Sequence, residues 1–268
     1  MGRCHRSHWN VKGMDMSDEA VLYELRDRVA YITLNRPEAS NAVDLNCARL
    51  FGDVVTRVSA DGPGAVLVDG RGKRFCAGGD VLSMVAAPDR STYVHELAAT
   101  LEAGLRRLSE LPAPVVAAVQ GAVAGAGLAV VLNCDVVIAA RSTKFLMAYS
   151  AVGLTPDCGV SHLLPRAVGQ QRALELALTG RILSADEAMA WGLVAQVVPD
   201  QDVLGRATEV VTQIAQAATS ALGQAKRLIR SSWESTRSDS AADESATVAR
   251  AVGTNEAISL IARFAQRS

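Results

Sequence analysis

The chain has 268 residues, which is enough for one large domain or for a domain with a smaller appendage. Apolar residues make up 49% of it and aromatic residues only 4%, so its core is built mainly from Ala, Val and Leu. The 27 basic residues are balanced by 28 acidic ones, which leaves a net charge of −1. This balance excludes a polyanion-binding surface as the dominant property and predicts that nucleic acid is not a partner.

The cysteines and the N-terminal segment predict a cytoplasmic protein. The five cysteines are scattered and none forms a CxxC pair, so we expect reduced thiols that bind no metal. Residues 1–18 show no apolar period and lack the apolar stretch of a secretory signal. We expect them to form a disordered extension, with the fold beginning near Val21.

The first half of the chain alternates between strand and helix patterns. These patterns predict two strands within 21–34 around Asp27, a helix over 44–59, a strand over 65–70, a helix that begins at Asp80, and a helix over 92–108. Asp80 ends the glycine turn "RFCAGGD", and aspartate is favoured at a helix N-terminus.

The second half opens with twenty uncharged residues over 115–134, long enough to cross a bilayer. Gln120 and the small residues of "GAVAGAG" favour a buried strand, a glycine turn and a short helix over a membrane helix. The following patterns predict the strand "DVVIAA", a helix over 172–178, a capping box from Ser184 to Glu187, the strand "AQVVP", and three largely helical segments punctuated near Ser238 and Gly253. The alternation predicts an α/β core over 19–203 and a C-terminal helical region over 204–268.

The glycine motifs exclude several common sites. Gly121, Gly125 and Gly127 have GxxxGxG spacing, which differs from the dinucleotide-binding GxGxxG, and the chain has no Walker lysine and no GxSxG elbow. Two glycine turns remain, each joining a buried strand to the start of a helix. Their free amides could converge on one carbonyl oxygen as an oxyanion hole, or the segments could simply be tight turns. The residues alone leave both interpretations open.

Five co-linear motifs resemble the crotonase, or enoyl-CoA hydratase/isomerase, superfamily from about residue 21 to residue 268. They are "LNRPEASNAV", "RFCAGGD", "GAVAGAGLAVVLNCDVVIAA", "VGLTPDCGVSHLLPRAVG" and "LTGRILSADEAMAWGLVAQVVP". The resemblance implies a spiral of ββα turns, C-terminal helices that mediate trimerisation, and an acyl-CoA thioester held by two backbone amides. By motif position these amides belong to Gly79 and Ala126. Alanine departs from the common glycine, but the donor is a main-chain group, so the change is tolerable where the backbone suits L-residues.

The resemblance also implies residues that bind the substrate. They are Ser40, Ala42, Lys73, Ala77, Gly78, Tyr149 and Phe264. Lys73 lies where CoA phosphates are expected, although exposed basic residues are often merely solvated. Phe264 corresponds to a phenylalanine that covers CoA from a neighbouring subunit, and ordinary helix packing is the alternative. Tyr149 would line the acyl pocket or pack in the core.

The carboxylates decide which reaction the resemblance implies. Hydratases of the family use two glutamates, and the corresponding positions here hold Ala129 and Tyr149. Asp157 in "GLTPDCG" occupies the position where isomerase-type members, such as the epoxyphenylacetyl-CoA isomerases, keep an acid. One such carboxylate can move a proton between two carbons, whereas a turn after Pro156 is the alternative role.

The sequence therefore predicts an enoyl-CoA isomerase with Asp157 as the acid–base group and Gly79 and Ala126 as the oxyanion hole. Two alternatives stay open: a hydratase or other crotonase lyase with atypical residues, and a non-catalytic CoA-binding subunit. We expect no metal or redox cofactor, no membrane partner, and a homotrimer or dimer of trimers.

Overall fold

A computed structural model describes residues 19–266, so the extension expected over residues 1–18 lies outside the described residues. Strands and helices alternate up to residue 198 and helices follow. The strands are β1 (Val21–Arg26), β2 (Val29–Leu34), β3 (Ala65–Gly70), β4 (Val115–Val119), β5 (Ala122–Ala124), β6 (Val136–Ala140), β7 (Lys144–Leu146), β8 (Leu183–Ser184) and β9 (Gln196–Val198). The helices are α1 (Leu45–Asp61), α2 (Val81–Ala86), α3 (Arg90–Glu110), α4 (Ala126–Asn133), α5 (Val160–Val168), α6 (Gln170–Thr179), α7 (Ala185–Trp191), α8 (Val203–Gln216), α9 (Thr219–Ser231), α10 (Arg237–Val252) and α11 (Asn255–Ala265). The α/β class is confirmed.

The strands form two sheets. The six-stranded sheet has the order β1-β2-β3-β4-β6-β9, in which β1 and β2 are an antiparallel hairpin and all other neighbours are parallel. The three-stranded sheet has the order β5-β7-β8. Because β4 lies in one sheet and β5 in the other, the chain crosses between the sheets at Gln120–Gly121. This crossing brings the segment after β5 towards the glycine turn that follows β3.

Local sequence signals explain where several elements begin. Asp44 caps α1 by accepting a hydrogen bond from the amide of Cys47 at 2.7 Å. Ser184 and Glu187 form the predicted capping box at the start of α7. The β1–β2 turn places Asp27 at a φ of +51°, a conformation that aspartate tolerates better than most residues.

Both faces of the main sheet are buried. The larger core cluster joins one face to α1 and α3 and contains three of the four phenylalanines, Phe51, Phe75 and Phe145. On the other face, α8 packs through Val203, Ala207, Val211 and Ala215. Burial on both faces explains why β4 and the first four residues of β3 are continuous apolar segments.

The structure corrects three predictions about secondary structure. Four helices, α8 to α11, follow residue 202 where three segments were predicted, and the break expected near Ser238 falls before α10 begins at Arg237. The helix α5 was not predicted, because Gly159 and Pro165 near and within it are typical of turns. The small sheet was also missed, since its strands have only two or three residues each.

The uncharged segment over 115–134 forms β4, β5 and α4, which confirms the predicted strand, turn and helix. No helix within residues 19–266 has both the length and the apolar character needed to cross a membrane.

The C-terminal helices contact the core through Asp135, whose carboxylate accepts hydrogen bonds from Lys226 at 2.9 Å and from Arg230 at 2.8 Å. Burial lowers the pKa of Lys226, and the adjacent Asp135 partly offsets this effect.

Candidate active site

The first glycine turn follows β3 and ends at Asp80. Gly78 has a φ of +116°, which is strained for any residue with a side chain, and a Cβ there would lie 3.4 Å from the carbonyl oxygen of Ala124. Asp80 caps α2 by accepting from the amide of Ser83 at 3.1 Å, as the sequence predicted. This turn therefore presents the amide of Gly79 directly before a helix.

The second glycine turn follows β5 and is bonded to the first. The amide of Cys76 donates to the carbonyl of Ala122 at 3.2 Å, and the amide of Ala124 donates to the carbonyl of Cys76 at 3.0 Å. Gly125 has a φ of +48°, whereas Ala126 is the first residue of α4 and has ordinary helical geometry. Alanine is accommodated there because only Gly125 needs the glycine conformation.

Two amides from these turns are available to a ligand. Within residues 19–266, the N–H groups of Gly79 and Ala126 donate to no backbone carbonyl. Both residues line one cavity. An unpaired amide at the start of a helix is a donor for an anion or a carbonyl oxygen, because the helix dipole adds to its positive end. The two turns can therefore hold one oxygen between two N–H groups.

An arginine fixes the first turn to the loop after β2. The guanidinium of Arg36 lies 2.9 Å from the carboxylate of Asp80 and 3.1 Å from that of Asp44, and it also donates to the carbonyl of Ala42. Burial by itself would raise the pKa of Asp80, but the hydrogen bonds from Ser83 and Arg36 outweigh it and lower that pKa. A charged, hydrogen-bonded cluster thus holds the residue next to Gly79 in place.

Asn41 ties the same loop to the end of β3. It is buried with a φ of +55°, and its side-chain amide donates to the carbonyls of Arg71 and Arg74 at 2.9 and 2.8 Å. Beside it, the carbonyl of Ser40 accepts from Ala77 at 3.0 Å. The Ser40 hydroxyl accepts a hydrogen bond from Arg74 at 2.7 Å. Sequence analysis did not identify Arg36 or Asn41, although both lie within the motif "LNRPEASNAV".

The cavity has a volume of about 370 Å³ and mostly apolar walls. The large apolar side chains that line it are Val43, Val81, Met84, Val94, Leu97, Leu101, Val152 and Leu154. Several come from α3, whose contribution to the cavity could not be predicted from its helical period alone. His95 on α3 also lines the cavity. The apolar walls suit a hydrocarbon group beside the paired amides.

Asp157 holds the one carboxylate among the described residues that line this cavity. It is half-buried and follows the short 3-10 turn Ser150–Val152 in a loop that leads to α5. The hydroxyl of Tyr149, which precedes that turn, donates to Oδ1 of Asp157 at 2.9 Å. Burial and the adjacent Asp157 raise the pKa of Tyr149 well above its ordinary value, so the phenol keeps its proton.

Six of the ten predicted site residues line the cavity. They are Ala77, Gly78, Gly79, Ala126, Tyr149 and Asp157. Ser40 and Ala42 lie in the adjoining loop, and Lys73 is exposed on the segment between β3 and β4. Phe264 lies on α11 with 74% of its surface exposed and does not line this cavity. The catalytic and binding roles of all ten residues stay predictions.

Comparison with known proteins tests the resemblance that the sequence motifs suggested. A sequence profile of the enoyl-CoA hydratase/isomerase family matches residues 24–264. The chain belongs to the enoyl-CoA hydratase/isomerase family. The crotonase fold and membership of the crotonase superfamily, which the sequence resemblance implied, are thereby confirmed.

Individual relatives of this family carry both activities in their names. The 1,2-epoxyphenylacetyl-CoA isomerase of Escherichia coli K12 is 39% identical over 224 residues, covering 81% of this chain and 84% of that protein. The trans-2-decenoyl-[acyl-carrier-protein] isomerase of Streptococcus mutans is 33% identical over 226 residues, covering 82% and 84%. The crystal structure of an enoyl-CoA hydratase from Mycobacterium smegmatis aligns with a TM-score of 0.87 and 31% identity, covering 92% of this chain and 96% of that one. The chain is therefore an acyl-CoA enzyme of the hydratase/isomerase family.

Proposed function

We propose that this enzyme is an enoyl-CoA double-bond isomerase that works through one carboxylate. The observation that carries the proposal is that Asp157 supplies the one carboxylate among the described residues lining the cavity. Hydration in this family uses two glutamates, and their positions hold Ala129, which is fully buried in α4, and Tyr149. A 1,3-proton shift needs only one acid–base group.

The paired amides would stabilise the charge that develops during the reaction. The thioester carbonyl oxygen would accept hydrogen bonds from the N–H groups of Gly79 and Ala126. Removing a proton from the α-carbon gives an enolate, whose negative charge is concentrated on that oxygen. Each fixed donor to such an oxyanion accelerates a reaction by roughly 100- to 1,000-fold.

Asp157 would carry the proton. Its carboxylate removes a proton from the α-carbon of a 3-enoyl thioester, and the C–H electron pair enters the conjugated enolate. The electron pair then takes the same proton back at the γ-carbon, two carbons further along, which leaves a 2-enoyl thioester and an ionised Asp157. The apolar walls limit access of water to this intermediate, which favours return of the proton.

The names of two relatives support isomerisation. The Escherichia coli relative is an isomerase of 1,2-epoxyphenylacetyl-CoA, and the Streptococcus mutans relative is an isomerase of a 2-decenoyl group on acyl carrier protein. Each name describes the isomerisation of an acyl group carried by CoA or by acyl carrier protein. The decenoyl substrate also fits the apolar character of the cavity found here.

The test is turnover of two substrates by the purified enzyme. Incubation with a 3-enoyl-CoA should move the double bond, and incubation with a 2-enoyl-CoA should give little hydration. We expect Asp157→Asn to lower kcat for isomerisation by about 100- to 10,000-fold, because a general acid–base group contributes a factor of that order. The double bond is followed by absorbance, and hydration is followed by mass.

A matched control is Asp186→Asn, which removes an exposed carboxylate whose partner Arg141 is also exposed. We expect this variant to keep full activity. Isomerisation that survives Asp157→Asn would refute the proposal. Hydration as the faster wild-type reaction would favour the hydratase or lyase alternative. CoA binding without turnover of either substrate would favour a non-catalytic subunit.

We also propose that CoA extends from the cavity along Ala77 and Gly78 to the loop of Ser40 and Ala42, with its phosphates near Lys73. The hydrogen bond between Ser40 and Ala77 supports this path, because it places the loop beside the cavity. The basic side chains of residues 71, 73 and 74 are exposed next to that loop.

We further propose that the C-terminal helices join subunits into a homotrimer or a dimer of trimers and that Phe264 covers CoA in a neighbouring subunit. Large apolar side chains exposed on these helices support assembly, among them Ile229 at 69% and Ile261 at 53%. The mass in solution, measured by light scattering, checks this, and a monomer would contradict it.

We also propose a cytoplasmic location. The buried free thiols support it, because reduced thiols are typical of that compartment, and cell fractionation tests it.

A further inference from the structure

Tyr149 connects the two halves of the candidate site. Its hydroxyl donates to Oδ1 of Asp157 at 2.9 Å. At the same end of the side chain, its Cζ lies 3.9 Å from the position that a Cβ on Gly125 would occupy, so the phenol touches the turn that presents the amide of Ala126. One side chain therefore spans from the carboxylate to the second glycine turn.

The backbone around Tyr149 holds this arrangement. Its carbonyl accepts from the amide of Leu154 at 3.0 Å and from that of Val152 at 3.1 Å, which closes residues 149–154 of the loop that leads to Asp157. The ring lines the cavity and is half-buried. A closed loop and a packed ring leave the hydroxyl little freedom, so the hydrogen bond to Asp157 has a fixed direction.

We infer that Tyr149 is a positioning residue for the acid–base group. It holds Oδ1 of Asp157, so that Oδ2 faces the α-carbon of a thioester bound at Gly79 and Ala126. This inference rests on the proposed role of Asp157 and extends it. The tyrosine that occupies the position of a hydratase glutamate would thus orient the carboxylate of Asp157.

Tyr149 does not transfer a proton itself in this scheme. The proton from the α-carbon goes to Oδ2 of Asp157 and then to the γ-carbon, while Tyr149 keeps its own proton throughout. Because burial and Asp157 raise the pKa of Tyr149, the phenol remains a donor at neutral and moderately alkaline pH. It can therefore donate to Oδ1 of Asp157 throughout that range.

Other titratable groups also face Asp157. The Cys158 thiol is adjacent, and burial followed by the charge of Asp157 raises the pKa of Cys158. Glu102 on α3 acts on the same thiol, and His95 on α3 lines the cavity. The thiol donates to the carbonyl of Ala98 at 3.6 Å, so its proton has another acceptor. Of these groups, only Tyr149 gives Asp157 a short oxygen–oxygen hydrogen bond.

The test is Tyr149→Phe, which keeps the ring and removes the hydroxyl. We expect kcat for isomerisation to fall about tenfold and KM to change less than about twofold, because the loss affects orientation and not binding.

The matched control is Tyr23→Phe, which removes another tyrosine–aspartate hydrogen bond, from Tyr23 on β1 to Asp61 at 2.6 Å. It should leave kcat and KM unchanged. A Tyr149→Phe enzyme that raises KM but keeps kcat would overturn the inference.

A second measurement does not depend on turnover. The carboxyl carbon of Asp157 is observed by NMR at one pH in protein with ¹³C-labelled aspartate and is assigned by its absence from Asp157→Asn. We expect its chemical shift to change in Tyr149→Phe and to stay the same in Tyr23→Phe, because only the first variant removes a donor to this carboxylate. An unchanged chemical shift in Tyr149→Phe refutes the hydrogen bond to Asp157. Isomerisation that persists in Asp157→Asn refutes the proposed function instead, so the two failures are distinguishable.

Discussion

Gly127→Ala should displace the second glycine turn without touching any acid or base. A Cβ at Gly127 would lie 2.5 Å from the carbonyl oxygen of Cys76 and 2.9 Å from its Cβ. The ordinary van der Waals separation of such atoms is roughly 3.5 Å, so α4 must move by about 1 Å to relieve the clash. The amide of Ala126 is at the start of this helix and moves with it.

Two effects of this substitution have different sizes. Overpacking costs about 1–3 kcal/mol, and the better helix propensity of alanine returns about 1 kcal/mol, so the free energy of unfolding falls by at most about 2 kcal/mol. That corresponds to a decrease in Tm of at most about 8 °C for a chain of this size. Loss of one aligned oxyanion donor, or a displacement of about 1 Å, lowers kcat by roughly 100-fold.

Thermal unfolding and kcat for isomerisation, measured on the same preparation, separate the two effects. Gly205→Ala is the control, because this exposed position in α8 has no atom within 4 Å of the added Cβ. That control should keep full activity and be more stable by up to about 1 kcal/mol. A folded Gly127→Ala enzyme with kcat within threefold of wild type would refute the role of the Ala126 amide.

Two further predictions concern the residues around the first turn. Asp80→Asn should lower the free energy of unfolding by about 1–2 kcal/mol at pH 7, because asparagine keeps the helix cap but loses the charge opposite Arg36. Because the pKa of Asp80 is lowered in the folded state, its contribution to the free energy of unfolding is present above about pH 4 and is lost as the pH falls below that value. Urea unfolding at pH 3 should therefore show a smaller difference between wild type and Asp80→Asn than at pH 7. An equal difference at the two pH values would contradict this. Lys73→Gln should raise KM for CoA thioesters about threefold with kcat unchanged. It should leave KM unaltered for a pantetheine thioester, which lacks the CoA phosphates. An equal rise in KM with both substrates would contradict a phosphate contact.

The sequence predicted elements whose signals are local. The helix α1 and the capping box of α7 were found because the cap residue and the apolar face lie within a few residues of each other. The strands β5, β7 and β8 were missed because their stability comes from partners far along the chain and their length leaves no period to detect. The helix α5 was missed because Pro165 lies inside it.

The candidate site was predictable to the extent that its groups are main-chain amides in recognisable turns. The motif placed Gly79 and Ala126, and the structure brings them to one cavity. The bond between Tyr149 and Asp157 could not be predicted, because it spans eight residues of irregular loop that no periodicity describes. The apolar walls from α3 depend in the same way on tertiary packing.

The two positions that hold glutamates in hydratases differ in their surroundings, and the difference bears on the proposed reaction. Ala129 is fully buried within α4 and does not line the cavity. A glutamate there would bury a charge unless its longer side chain reached the cavity. Tyr149 does line the cavity, and its hydroxyl already donates to Asp157. Asp157 is then the one carboxylate that these two positions leave at the cavity within the described residues, which supports the proposed isomerisation because a 1,3-proton shift needs a single acid–base group.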